Sequence, residues 1–160
     1  MDCSLQGKIA LVTGGSRGIG KAIALGLARA GADVAIAGRK LPELEKAAED
    51  IRQTGKRCLP LAAHVGRTED REQLLKKVVE EYGRIDVLIN NAATNPTMDS
   101  ALDIDERAWD SIMNLNLKGL FFLSQAAARV MKEKGGGKII HIASVAGITP
   151  DILPVYSISK

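Results

Sequence analysis

The sequence predicts an α/β protein whose doubly wound parallel sheet lies between two helical layers, and three observations lead there. Short apolar runs alternate with longer stretches that carry apolar residues at helical spacing. The short runs lack the in/out alternation of half-exposed strands, as strands buried on both faces do. A glycine cluster, TGGSRGIG at 13–20, falls between the first run and the first helical stretch. Strand–helix alternation of this kind implies crossover units and three layers, helix on sheet on helix.

Each element follows in order. Residues 8–13 (KIALVT) form the first strand and 18–30 the first helix. Residues 33–38 (DVAIAG) form the second strand. The second helix spans 41–54, with Pro42 in its first turn and Gly55 just past its end, as helix start and stop chemistry prefers. Residues 57–62 read as a weaker third strand. Thr68 is placed to cap a third helix running to Tyr82, with Glu69 and Asp70 near its positive end. Residues 86–90 (DVLIN) form the fourth strand. Residues 105 to 134 hold one or two helices, and Gly135, Gly136 and Gly137 force a loop before the fifth strand, 138–143 (KIIHIA). No repeat or linker divides the chain, so residues 1–160 read as a single domain.

Composition narrows the function classes. Aromatics make up only 3% of 160 residues, too few for a base-stacking nucleic-acid surface. The net charge of +3 is spread among interspersed acids and bases, which leaves no nucleic-acid footprint. Cys3 and Cys58 fit neither a disulfide framework nor a metal-ligand spacing and are expected as reduced thiols, with no metal site. No signal peptide and no apolar run of membrane-spanning length is evident, so no membrane partner is expected and the cytoplasm is the expected compartment.

The glycine cluster carries chemistry. Gly14 permits a backbone turn closed to residues with a Cβ. Gly18 lets the main chain approach a pyrophosphate, and Gly20 allows close packing of helix on strand. The first N–H groups and the positive dipole end of the helix face such an anion. The spacing is not the G-x-G-x-x-G of the usual Rossmann fingerprint, although the surrounding pattern is Rossmann-type.

T-G-x-x-x-G-x-G after the first strand, Asn90-Asn91-Ala92 after the fourth, Ser144 after the fifth and Tyr156-x-x-x-Lys160 together resemble the short-chain dehydrogenase/reductases. The resemblance covers essentially the whole chain, and each motif sits at a strand's carboxyl end, where open α/β sheets bind ligands. It implies a nicotinamide dinucleotide held at Gly14, Ser16, Arg17, Gly18, Ile19 and Gly20, at the second and third strand ends, and at Asn91, Ala92 and Ala93. Ala93 stands where the family usually has Gly. His64-Val65 stands where it usually has Asp-Val beside the adenine, and a neutral imidazole can accept from or donate to the adenine edge. An Asp or Glu about 20 residues past the glycine turn would grip the ribose 2′-hydroxyl of NAD. Gly38-Arg39-Lys40 occupies that place. Arg39, with Arg17, suits a 2′-phosphate through charge-assisted hydrogen bonds, so NADP is the expected cofactor and NAD the alternative.

Tyr156 and Lys160 are four residues apart and share one face of a helix. An ammonium beside a phenol favours the phenolate, which suits a general acid/base acting on an alcohol or carbonyl oxygen. Ser144 can donate to the same oxygen as charge develops on it. In the family an asparagine supports a proton relay to the lysine. Asn116 matches it, with Asn114 the alternative, and Tyr156 and Lys160 also border the cofactor. The Ser144–Tyr156 interval is slightly shorter than is commonest in the family. The reaction implied is hydride transfer between NADP(H) and a small carbonyl or secondary-alcohol substrate, whose pocket residues 93–96 and 148–154 border. The resemblance also implies a homodimer or homotetramer formed through residues 108–134 and the final helix that bears Tyr156. The sequence stops at Lys160, before two further strands that family members carry. A fragment is therefore expected, and a non-catalytic dinucleotide-binding or oligomerisation module is the alternative reading.

Overall fold

The computed structural model describes residues 4–149 and 153–160; Cys3, and residues 150–152 of the expected pocket rim, lie outside them. Five strands, β1 (Ile9–Thr13), β2 (Asp33–Gly38), β3 (Cys58–Ala62), β4 (Val87–Asn90) and β5 (Lys138–His141), form one sheet in the order β3-β2-β1-β4-β5. Every neighbouring pair is parallel. The chain winds from β1 to β3 in one direction, then crosses back and continues from β4 to β5 in the other. The winding reverses between β1 and β4. Crevices outside the strand ends at such a point are where these sheets take ligands.

Each inner strand feeds two cores. Ile9 and Leu11 pack with Leu74 and Val78 of α3 (Thr68–Tyr82) and with Leu123 and Ala127 of α5 (Leu120–Glu133). Ala10 and Val12 turn to the other face, against Ala24 and Ala28 of α1 (Gly18–Arg29) and Leu44 and Ile51 of α2 (Leu41–Arg52). Because both faces are buried, neither set of positions tolerates polar residues, and the apolar runs are continuous. β3 is an edge strand, which accommodates Pro60 opposite Ile36. Burial pushes the Cys58 thiol at its start up to about 12 and leaves it free of any disulfide.

Several expected boundaries shift for identifiable reasons. β3 starts at Cys58, since the Arg57 N–H donates to the Asp33 carboxylate at 3.0 Å instead of to a strand carbonyl; the Arg57 guanidinium lies over the Tyr82 ring. β5 ends at His141, and the chain bends into a 3₁₀ turn at Val145–Gly147. Thr68 does not cap α3. Arg67 holds that position without a side-chain cap, while the Thr68 hydroxyl accepts from Arg71. The region expected to hold one or two helices is α4 (Glu106–Met113), capped by Asp105 through a 2.7 Å bond from Ala108 N–H, then a π-helical turn at Asn114–Gly119, then α5. The π turn lets the helix backbone pass close to the β3–α3 loop. A Cβ on Gly119 would sit 2.5 Å from the Val65 carbonyl oxygen.

At the opposite end of the sheet, Asp86 staples three strands. Its carboxylate accepts from Ile9 N–H at 2.9 Å and from two Arg84 nitrogens at 3.0 and 2.6 Å. Its own N–H donates to the Ile9 carbonyl, and its carbonyl accepts from Lys138 N–H. Burial alone would raise the carboxyl's pKa, but the Arg84 and Ile9 hydrogen bonds and the Arg84 and Lys8 charges outweigh burial and hold it below the usual range. Asp86→Ala is expected to cost on the order of 3 kcal/mol at neutral pH, read from urea unfolding. A carboxyl whose folded pKa is depressed stabilises above its unfolded value and loses that contribution as pH falls through the folded one. The difference between wild type and variant should close progressively below about pH 4. A difference independent of pH would contradict this account.

Candidate active site

A cavity of about 410 Å³ opens at the carboxyl ends of β1 to β4, over the reversal of winding. Every residue expected to contact a cofactor from the glycine turn, from Arg39, from His64-Val65 and from residues 91–93 lines it. Thr94 and Leu115 complete the wall on the β4 side, and Lys40 and Glu43 on the β2 side.

The turn after β1 is held by steric limits and by a hydrogen-bonded lock. Gly14 has φ +66°, and a Cβ there would lie 2.7 Å from the Asn91 amide nitrogen. A Cβ on Gly20 would lie 2.2 Å from the Gly14 carbonyl oxygen. Gly20 is therefore needed for packing against the turn itself, more than for packing helix on strand. Gly18 differs: its φ is +54°, and nothing lies within 4 Å of a built Cβ. The lock joins the two strand ends. Thr13 Oγ1 donates to the Ile89 carbonyl and accepts from the N–H groups of Asn91 and Ala92 at 3.0 and 3.1 Å. The Asn91 amide donates to the carbonyls of Thr13 at 2.9 Å and Gly14 at 3.2 Å. The sequence reading passes over Thr13. Its signal was a hydroxyl at the end of an otherwise apolar, buried strand, where a hydroxyl needs a partner.

No side chain caps the start of α1 and no acid occupies its first turn, so its first N–H groups are directed at the cavity without a competing acceptor. Toward β2 the wall is cationic. Arg17 and Arg39 line it with no ion-pair partner among the described residues, whereas Lys40 pairs with Glu43 at 3.1 Å. His64 borders the cavity with a buried Nδ1 that has no hydrogen-bond partner, and its N–H donates to Asp70 at 2.7 Å. A free helix start, glycine backbone and unpaired cations fit a dinucleotide diphosphate.

Ser144, Tyr156 and Lys160 do not line this cavity; they stand together at the end of β5. Ser144 opens the 3₁₀ turn, its Oγ accepting from Ala146 N–H at 3.2 Å. Tyr156 lies in α6 (Pro154–Ile158), a five-residue helix. Lys160, four residues on, places its Nζ 5.9 Å from the Tyr156 ring centre. That ammonium also donates to the Ile142 carbonyl, two residues before Ser144. Burial pulls Lys160 below the ordinary lysine range. Gly147 brings the Ser144 turn against the end of α6, since a Cβ there would be 2.7 Å from the Lys160 carbonyl carbon. No hydrogen bond joins Ser144 to Tyr156 among the described residues.

Asn116 connects the two regions. Only 2% exposed, it accepts from Thr94 N–H at 2.8 Å, donates to the Thr94 carbonyl at 2.9 Å and donates to Ser159 Oγ at 3.0 Å. It thereby ties the cavity wall to α6. Asn114 instead lines a groove on the far side of the π turn with Leu117, Phe121 and Phe122.

The profile describing the short chain dehydrogenase family matches residues 8–160. The 2-dehydro-3-deoxy-D-gluconate 5-dehydrogenase of Escherichia coli (strain K12) is 44% identical over 98% of this chain and 62% of its own. Among solved structures, a short-chain type dehydrogenase/reductase from Mycobacterium marinum superposes with a TM-score of 0.95 at 37% identity, over 99% of this chain and 65% of its own. A xylitol dehydrogenase bound to NAD+ gives 0.93 at 31% identity, over 97% of this chain and 60% of its own. The chain thus spans a little over three fifths of that curated relative's length.

The glycine geometry yields an ordered expectation. Gly18→Ala should cost about 1 kcal/mol, from left-handed backbone alone. Gly20→Ala should cost more than about 2 kcal/mol, because the Gly14 carbonyl must move. Chemical denaturation of both variants checks the order, and equal costs would refute it.

Proposed function

The chain belongs to the short-chain dehydrogenase family, and from that premise we propose that it serves hydride exchange between NADP(H) and a small carbonyl or secondary-alcohol substrate. The observation that carries the reading is one crevice with two chemically different ends. Toward β2 it presents the unpaired cations Arg17 and Arg39. Toward β4 it adjoins, through Asn116, the helix that bears Tyr156.

When bound, the nicotinamide supplies or accepts the hydride. The chain's own residues do the rest. Tyr156 gives its hydroxyl proton to the carbonyl oxygen in reduction and takes it back from the hydroxyl in oxidation. Ser144 donates a hydrogen bond to that same oxygen. Lys160, its ammonium form disfavoured by burial, supports exchange of the Tyr156 proton. Asn116 holds α6 against the cavity wall. Arg39 and Arg17 grip the 2′-phosphate, and the His64 imidazole borders the adenine edge. NAD is the alternative, favoured by the NAD+-bound relative among the similar structures. The reading extends to a cytoplasmic homodimer or homotetramer. The half-exposed Leu117, Phe121 and Phe122 support an association surface. No helix among the described residues is long and apolar enough to cross a membrane.

Two variants test the reading. Tyr156→Phe should lower turnover about a thousandfold over a panel of ketones and secondary alcohols, with a far smaller effect on cofactor affinity measured by fluorescence. Arg39→Glu should lower kcat/KM with NADPH about a hundredfold and raise it with NADH. A wild-type protein that already prefers NADH would remove the NADP assignment.

A further inference from the structure

We propose that Arg71 is a positioning residue for the adenosine end of the cofactor crevice, acting through the Val65 carbonyl; the inference rests on the cofactor reading above. Arg71 is 6% exposed, and no carboxylate pairs with it among the described residues. A buried guanidinium without a counter-ion is expensive, so its surroundings must supply acceptors. They are specific. Nη1 donates to the Val65 carbonyl at 2.8 Å, Nη2 donates to Thr68 Oγ1 at 3.0 Å, and the guanidinium carbon lies 5.8 Å from the centre of the Phe122 ring. The main-chain contact is the one that reaches the crevice, because Val65 and His64 form its β3 wall.

That wall has little freedom of its own. The His64 N–H is taken by Asp70, the His64 carbonyl accepts from Arg67 N–H, and the Val65 carbonyl accepts from Arg71. Three consecutive peptide groups are thus fixed by the first turn of α3. From the other side the π turn presses on the same carbonyl, with room only for the hydrogen of Gly119. The Val65 carbonyl is clamped between a cation and a helix backbone. A fork of two fixed donors meets this demand, and a point-charge ammonium meets it less well. Removing the fork frees the peptide that carries His64 toward the cavity, while Tyr156 and Lys160, beyond β4, keep their supports.

The test uses the intact protein and 2′,5′-ADP, the adenosine part of NADP, titrated calorimetrically. Arg71→Met is expected to weaken 2′,5′-ADP binding about tenfold and Arg71→Lys about threefold. KM for NADPH should rise in step, with kcat at saturating NADPH changed by less than about twofold. A role confined to stability would instead lower the thermal midpoint and leave the 2′,5′-ADP affinity of the folded variant unaltered, and that result overturns the proposal. Should Arg71→Met fail to fold, Arg71→Lys and Asp70→Ala decide, the latter by loosening the same wall at the His64 N–H. Wild type that does not bind 2′,5′-ADP defeats the cofactor reading. Wild type that binds, with variants that bind equally well, defeats this inference alone.

Discussion

The hydrogen bonds between Thr13 and Asn91 join the ends of β1 and β4 at the place where the sheet's winding reverses, and the rest of the site takes its position from them. Strand ends in a parallel sheet diverge into loops, and a crevice between two such loops has no shape unless something spans it. Here a buried hydroxyl satisfies two backbone N–H groups, and a side-chain amide satisfies two carbonyls. Every partner is a polar group that would otherwise be poorly solvated, so the lock is specific as well as stabilising. The glycine turn can then be tight, because Gly14 and Gly20 meet a surface that is already fixed.

From this origin the chemistry divides along the sheet. Cations and the free helix start lie toward β2, and the phenol and ammonium lie toward β5. Asn116 and Arg71 are the struts of the two ends, each bonded to main chain rather than directed at open space. Both depend on the π turn. It buries Asn116 beside Thr94, and it carries Gly119 against Val65. One irregular helical turn therefore braces both ends of the crevice, in keeping with the frequency of such turns at functional sites.

Much of this was legible in the residues. The continuous apolar strands and the Gly14–Gly20 turn are local properties, set by backbone sterics and burial, and both stand in the structure; that Glu43 joins the wall after β2, paired with Lys40, was not foreseen. What stayed hidden was relational. Thr13 reads as an ordinary strand residue until its partner 78 positions away is known. Thr68 reads as a cap until Arg71, one turn on, is seen to take its hydroxyl. The π turn has no composition of its own, being a consequence of where β3 ends in space. Tyr156 and Lys160 stand close, as their spacing suggests, but the bond that fixes the ammonium, to the Ile142 carbonyl, could not be read from that spacing.

Pro60 has a consequence beyond the geometry of β3. A margin that lacks a regular row of N–H donors is a poor template for a foreign chain, so that side of the sheet is sealed against fibre-like recruitment by a covalent feature instead of by bulk.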